Sequence, residues 1–140
     1  MARVKLDLPE KFAFETELPV RITDINYGQH LGNAELLGLL HEARIRFLRS
    51  HDLSELDVGG CGLIMTDAVL VYKAQAGCGD VLRIQVAVQD FGPLGCDLVY
   101  RVTNTTSGVE VARAKTGLVC FDYAAGKVVR CPEKFRAALA

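Results

Sequence analysis

One stretch of this chain repeats its apolar residues at helical spacing, and most of the chain beyond it repeats at a period of two. From Asn33 to about Arg49 the run NAELLGLLHEARIRFLR puts Leu36, Leu39, Leu40, Ala43 and Phe47 on one face, which predicts an amphipathic helix of about five turns. Asn33 reads as its N-cap, and Glu35 in the first turn suits the positive end of the helix dipole. Arg44, Arg46 and Arg49 fall toward the other end, where cations are favoured.

Past the polar, glycine-ended connection SHDLSELDVGGCG, the pattern predicts strands over Leu63 to about Ala74, Val81–Phe91, Cys96–Asn104 and Val109–Tyr123. AGCGD, FGPLG and NTTSG are the turns between them. Leu82, Ile84, Val86 and Val88 alternate with Arg83, Gln85, Ala87 and Gln89, as a strand with one buried face requires. An earlier strand candidate runs from Phe12 to Ile22, with Pro19 marking an edge or a break. YAAGKVV reads as a final tight turn, and PEKFRAALA as a short terminal helix with Pro132 at its start. One helix cannot cover both faces of a five-stranded antiparallel sheet. The sheet must curl around the helix, and its other face must meet solvent or a second copy of the chain.

At 140 residues the chain fits a single domain, 1–140. Sixteen basic residues against 17 acidic ones give no electrostatic footprint for nucleic acid. The opening MARVKLDLPEKFAF lacks an apolar secretory core, and no run approaches the roughly 18 apolar residues of a membrane-spanning helix. The five cysteines, at 61, 78, 96, 120 and 131, include no C-x-x-C pair, which fits reduced thiols in a cytoplasmic protein rather than a disulfide framework or a metal site. Half the residues are hydrophobic, an excess that suggests burial against a partner subunit.

The segment TDINYGQHLGNAE, residues 23–35, contributes little to a core. Its plain reading is a loop: Asp24 and Asn26 forming Asx turns, His30 an anchor, and Asn33 a cap. Glu42 likewise reads as half of a surface pair with Arg46 at i,i+4 spacing, while His41 and His51 read as structural or exposed. Tyr27 packs on a ligand or fills a seam between subunits.

The order of motifs carries more. Asp24-Ile-Asn26-Tyr-Gly28-Gln-His30-Leu-Gly-Asn33 is followed by HEAR at 41–44, then by VLVYKAQAGCGDVLRI and ARAKTGLVCFDYAAGKVVRCP. Over roughly residues 17 to 132 this resembles the thioesterase superfamily of hotdog folds, nearest to 4-hydroxybenzoyl-CoA thioesterase-like and acyl-carrier-protein thioesterases. The resemblance implies an α+β hotdog fold, with a curved antiparallel five-stranded sheet wrapped around one long central helix. It implies hydrolysis of an acyl thioester, most directly acyl-CoA, without cofactor or metal. It also implies a dimer or homotetramer with sites between protomers.

The family's usual catalytic carboxylate is the second aspartate of D-x-D, and here that position is Asn26. The resemblance therefore shifts the base or nucleophile to Glu42 first and Asp24 second, with Asn26 and His30 orienting water or substrate. Backbone N–H groups around Gly32 and Asn33 are the expected oxyanion donors, with Gly28 and Gly32 allowing close approach and Tyr27 beside the substrate. Arg113 and Lys115, on one strand face, are candidate partners for CoA phosphates. Glu42 lies nine residues past Asn33, about 13 Å along the helix, so it meets the loop only through a kink, along a bound substrate, or from a second subunit. The competing functions are a carrier-protein thioesterase, a hotdog dehydratase, and a non-catalytic acyl-thioester binding protein. Asn26 supports the last.

Overall fold

Six strands and two helices are present in the computed structural model, which describes residues 1–140. They are β1 (Phe14–Pro19), α1 (Asn33–Ser50), β2 (Gly62–Tyr72), β3 (Val81–Gln89), β4 (Gly95–Asn104), β5 (Glu110–Asp122), β6 (Lys127–Val128) and α2 (Glu133–Leu139). All pairings are antiparallel, in the order β1-β3-β4-β5-β2, and β6 adds to the end of β5. β1 and β2 are thus the two edges, which is where Pro19 is tolerated.

The helical stripe Leu36, Leu39, Leu40, Ala43, Phe47 and Leu48 joins Leu82, Ile84, Val86, Leu98, Tyr100 and Val102 in one buried cluster. α1 therefore lies along the inner face of the curved sheet, as the hotdog expectation requires. At 0% exposure, Leu82, Ile84 and Val86 confirm the alternation read in β3.

Several expectations shift. The sheet has a sixth strand: the turn after β5 returns two residues, Lys127 and Val128, opposite Asp122 and Phe121. The first strand is shorter than Phe12–Ile22, because a 3-10 turn at Ile22–Asp24 bends the chain out of the sheet. Gly32, not Asn33, is the N-cap of α1; its extended backbone (φ −68°, ψ 150°) marks the boundary, and no side chain caps the helix. Arg44, in the second half of α1, is buried at 6% exposure.

The outer face of the sheet is not left wholly to solvent. The N-terminal arm crosses it: Arg113 Nη1 donates to the Leu6 carbonyl (3.1 Å), and the Arg101 guanidinium sits 5.3 Å from the Phe12 ring centroid. Two outward residues, Ala87 and Val99, are buried without belonging to the inner cluster. β2 is the opposite case. A bulge between Met65 and Asp67 breaks its register, and Met65 to Ala68 are exposed in succession along a free edge.

Candidate active site

The glycine-bearing loop is a closed hairpin standing at the start of α1. Ile25 and Leu31 form a bridge; the Asn26 N–H donates to the His30 carbonyl (2.8 Å), and the Gln29 N–H donates to the Asn26 carbonyl (3.1 Å). Asn26 Oδ1 accepts the N–H groups of Gly28 (2.9 Å) and His30 (3.3 Å). The loop is anchored by Leu31 N–H to the Ala76 carbonyl (2.8 Å) and Gly32 N–H to the Asp24 carbonyl (2.9 Å). Asn26 therefore acts as an Asx turn, and its side-chain oxygen is occupied by the loop itself.

Asp24 is buried beneath this hairpin at 5% exposure. Its carboxylate accepts the backbone N–H of Arg21 (2.9 Å) and both Nε and Nη2 of the Arg21 side chain (3.2 Å each). The hydrogen bond from the Arg21 side chain holds the Asp24 pKa below the usual carboxylate range despite burial. An ionised, triply bonded carboxylate positions the loop and has little freedom to move a proton. The His30 ring makes no hydrogen bond in the chain, and Tyr27 is fully exposed and touches no core.

What the hairpin leads into is the open end of a helix. The backbone N–H groups of Asn33, Ala34 and Glu35 meet no acceptor in the chain, and the first N–H to do so is that of Leu36, on the Gly32 carbonyl (3.1 Å). The Tyr72 hydroxyl donates to the Asn33 carbonyl (2.9 Å), pinning this turn to β2. A carboxylate that the sequence assigns only to the helix dipole lies here: Glu35 folds back over Gly32 so closely that a methyl group at position 32 would collide with it. Its N3 position relative to the cap is the available signal. The apolar pocket under this turn, lined by Leu31, Leu36, Tyr72 and Ala74, has a volume of about 20 Å³, too small for an acyl group.

Glu42 lies on the exposed side of α1, bonded by Arg46 Nε (3.3 Å), as the bland pairing predicts. It lines a groove of about 550 Å³ between α1 and β1 that also includes Arg21. Within one chain the structure thus leaves Glu42 apart from Gly32 and Asn33. Arg113 and Lys115 are spoken for. Arg113 Nε donates to Glu110 (2.8 Å), and Lys115 Nζ lies 2.9 Å from Asp67 and 3.7 Å from Asp97.

A polar chain unforeseen in the sequence runs from surface to core. His41 Nε2 pairs with Glu55 Oε2 (3.1 Å), and Arg44 Nε donates to Glu55 Oε1 (2.6 Å). Beyond Arg44 lies the buried Tyr100, whose hydroxyl shares a hydrogen bond with Thr116 Oγ1 (2.7 Å). Arg44 Nη1 is buried without a partner. No cluster of three or more His, Cys, Asp or Glu side chains is arranged to hold a metal ion, and all five cysteines are free thiols.

The sequence profile of the thioesterase-like superfamily matches residues 20–139. No curated protein sequence matches the chain. Among solved structures, a 1,4-dihydroxy-2-naphthoyl-CoA thioesterase from Synechocystis is similar, with 26% identity and a TM-score of 0.82 over 90% of this chain and 94% of that one. A DHNA-CoA thioesterase from Staphylococcus aureus has 19% identity and a TM-score of 0.76 over 83% and 78%. A further Staphylococcus aureus protein, SAV2348, solved in complex with CoA, has 17% identity and a TM-score of 0.81 over 96% and 85%.

Proposed function

The chain belongs to the thioesterase-like superfamily, and from that premise we propose that it hydrolyses an acyl-CoA to the free acid and CoA at the N-terminus of α1. The observation that carries this reading is the row of unpaired N–H groups on Asn33, Ala34 and Glu35, at the positive end of an 18-residue helix. Directed at a thioester carbonyl, such donors stabilise the developing oxyanion by about 3 kcal/mol. Gly28 keeps the approach to this turn open and Tyr27 borders it, while the space beside Gly32 is taken by Glu35.

The carboxylate that folds back over the helix start in a single chain is that of Glu35. In this reading it takes a proton from water as the oxygen attacks the carbonyl carbon. Collapse of the tetrahedral intermediate then breaks the C–S bond and releases the CoA thiolate, which takes up a proton. Asp24 and Asn26 hold the loop, and His30 orients water. Glu42 serves instead only if a second subunit brings it to the helix start.

Self-association is part of the proposal: β2 is an edge strand whose free side is open to pairing with a second copy, and a dimer or homotetramer would enlarge the small pocket at the helix start. Five free thiols suit a reducing, cytoplasmic setting, and hydrolysis by a carboxylate base and backbone donors calls on no cofactor.

The test is thiol release from a panel of acyl-CoAs by wild type, Glu35→Gln, Glu42→Gln, Asp24→Asn and Asn26→Ala. Glu35→Gln should lower kcat at least about 100-fold with oligomer size unchanged. Loss confined to Glu42→Gln would move the base to the other carboxylate and require the second subunit. Acyl-CoA binding without thiol release by wild type would instead favour the binding-protein reading, which the occupied Asn26 side chain supports.

A further inference from the structure

The groove between β1 and α1 is the largest cavity with a charged wall. It has a volume of about 550 Å³, a floor that includes Leu18 and Pro19, and a wall carrying Arg21, Arg46 and Arg49 with Glu42. The charges do not cancel. Arg21 is bonded to Asp24, and Arg46 Nε to Glu42, while Arg46 Nη1 donates to Thr16 Oγ1 (2.8 Å) and the Glu17 carbonyl (3.2 Å). Arg49 makes no side-chain hydrogen bond and no ion pair, and so leaves one positive charge facing the groove uncompensated.

Resting on the hydrolytic reading above, we propose that this groove holds the phosphate-bearing nucleotide end of a CoA thioester, with the unpaired Arg49 as the phosphate ligand. Guanidinium forks match phosphate oxygens in pairs, which makes arginine suited to this task. Distance along the helix supports the placement. Arg49 lies about 24 Å from Asn33 at the helical rise. From the thioester sulfur to the first phosphorus of CoA is about 13 bonds, roughly 15 Å at the spacing of an extended backbone, and the nucleotide reaches further. A carboxylate on the acyl group would lie beside the carbonyl and could not reach Arg49. The cations expected for this role, Arg113 and Lys115, face carboxylates on the outer side of the sheet and have no comparable opening.

The test is calorimetric titration of the intact chain with CoA and with pantetheine, which lacks the phosphates. Wild type should bind CoA about tenfold more tightly, and Arg49→Glu should cut that ratio by about fivefold or more. Arg49→Lys should restore part of the ratio, and added salt should lower it in wild type. A ratio unchanged by Arg49→Glu, or equal binding of both compounds by wild type, overturns the assignment. CoA discrimination that depends on Arg49, in a protein that cleaves no thioester, would keep the groove and discard the hydrolytic reading.

Discussion

Replacing Glu55 with alanine isolates the energetic role of the polar chain beneath α1. The Arg44 side chain is 7% exposed, and its only hydrogen bond of good geometry is the 2.6 Å contact to Glu55. With Nη1 already unpartnered, removing the carboxylate strands a buried guanidinium charge. Breaking such a pair costs about 3–5 kcal/mol, and the low end, about 3 kcal/mol, applies here because Glu55 is 27% exposed and water can enter in its place. In a chain of this size that lowers Tm by roughly 10 °C.

The effect has a pH signature. Burial pushes the Glu55 pKa up, but the hydrogen bond and charge of Arg44, aided by His41, outweigh it and hold the pKa below its ordinary value of 4.5. A depressed folded pKa stabilises fully above the unfolded value, and that contribution is lost as pH falls through the folded one. Wild type and Glu55→Ala should differ most at neutral pH and converge in acid. Urea unfolding followed by circular dichroism at several pH values measures this. The double variant Arg44→Met/Glu55→Ala should recover most of the loss, because it removes the stranded charge as well. A Glu55→Ala cost under about 1 kcal/mol, or a double variant no more stable than the single, would refute the reasoning.

Two further outcomes come from the packing. A methyl group at Gly95 would strike the Leu118 backbone of the neighbouring β5, so Gly95→Ala should cost about 2 kcal/mol or more in the same unfolding assay. Cys78 is exposed, whereas burial raises the Cys96 thiol pKa to about 12 and also raises that of Cys120, so an aromatic disulfide at pH 8 should label Cys78 rapidly and both buried thiols only after unfolding, as mass spectrometry would show.

Much of the fold was legible because it depends on periodicity. Leu36, Leu39, Leu40, Ala43 and Phe47 had only one way to share a face, and β3 declared its inner side residue by residue. What escaped depended on partners distant in sequence. Arg44 looks like any arginine near a helix end until Glu55, eleven residues on, supplies a carboxylate and Tyr100 a buried neighbour. Arg113 and Lys115 share a strand face as expected, but no local pattern reveals that Glu110, Asp67 and Asp97 stand opposite them. At the candidate site, the Asx reading of Asn26 was available from chemistry alone. The role of Glu35 was less so: its spacing hints at a cap, but only the backbone shows the side chain folded over Gly32.

The arm that crosses the outer face of the sheet changes how substitutions there should be judged. An open sheet normally tolerates almost any polar residue on its solvent side. Here Ala87 and Val99 point outward yet are 5% and 1% exposed, so β4 buries Leu98, Val99 and Tyr100 in succession. Mutational tolerance at positions 87 and 99 should therefore resemble that of the core, favouring small apolar side chains. The sheet is in effect sandwiched, with a helix on one side and a strip of its own chain on the other.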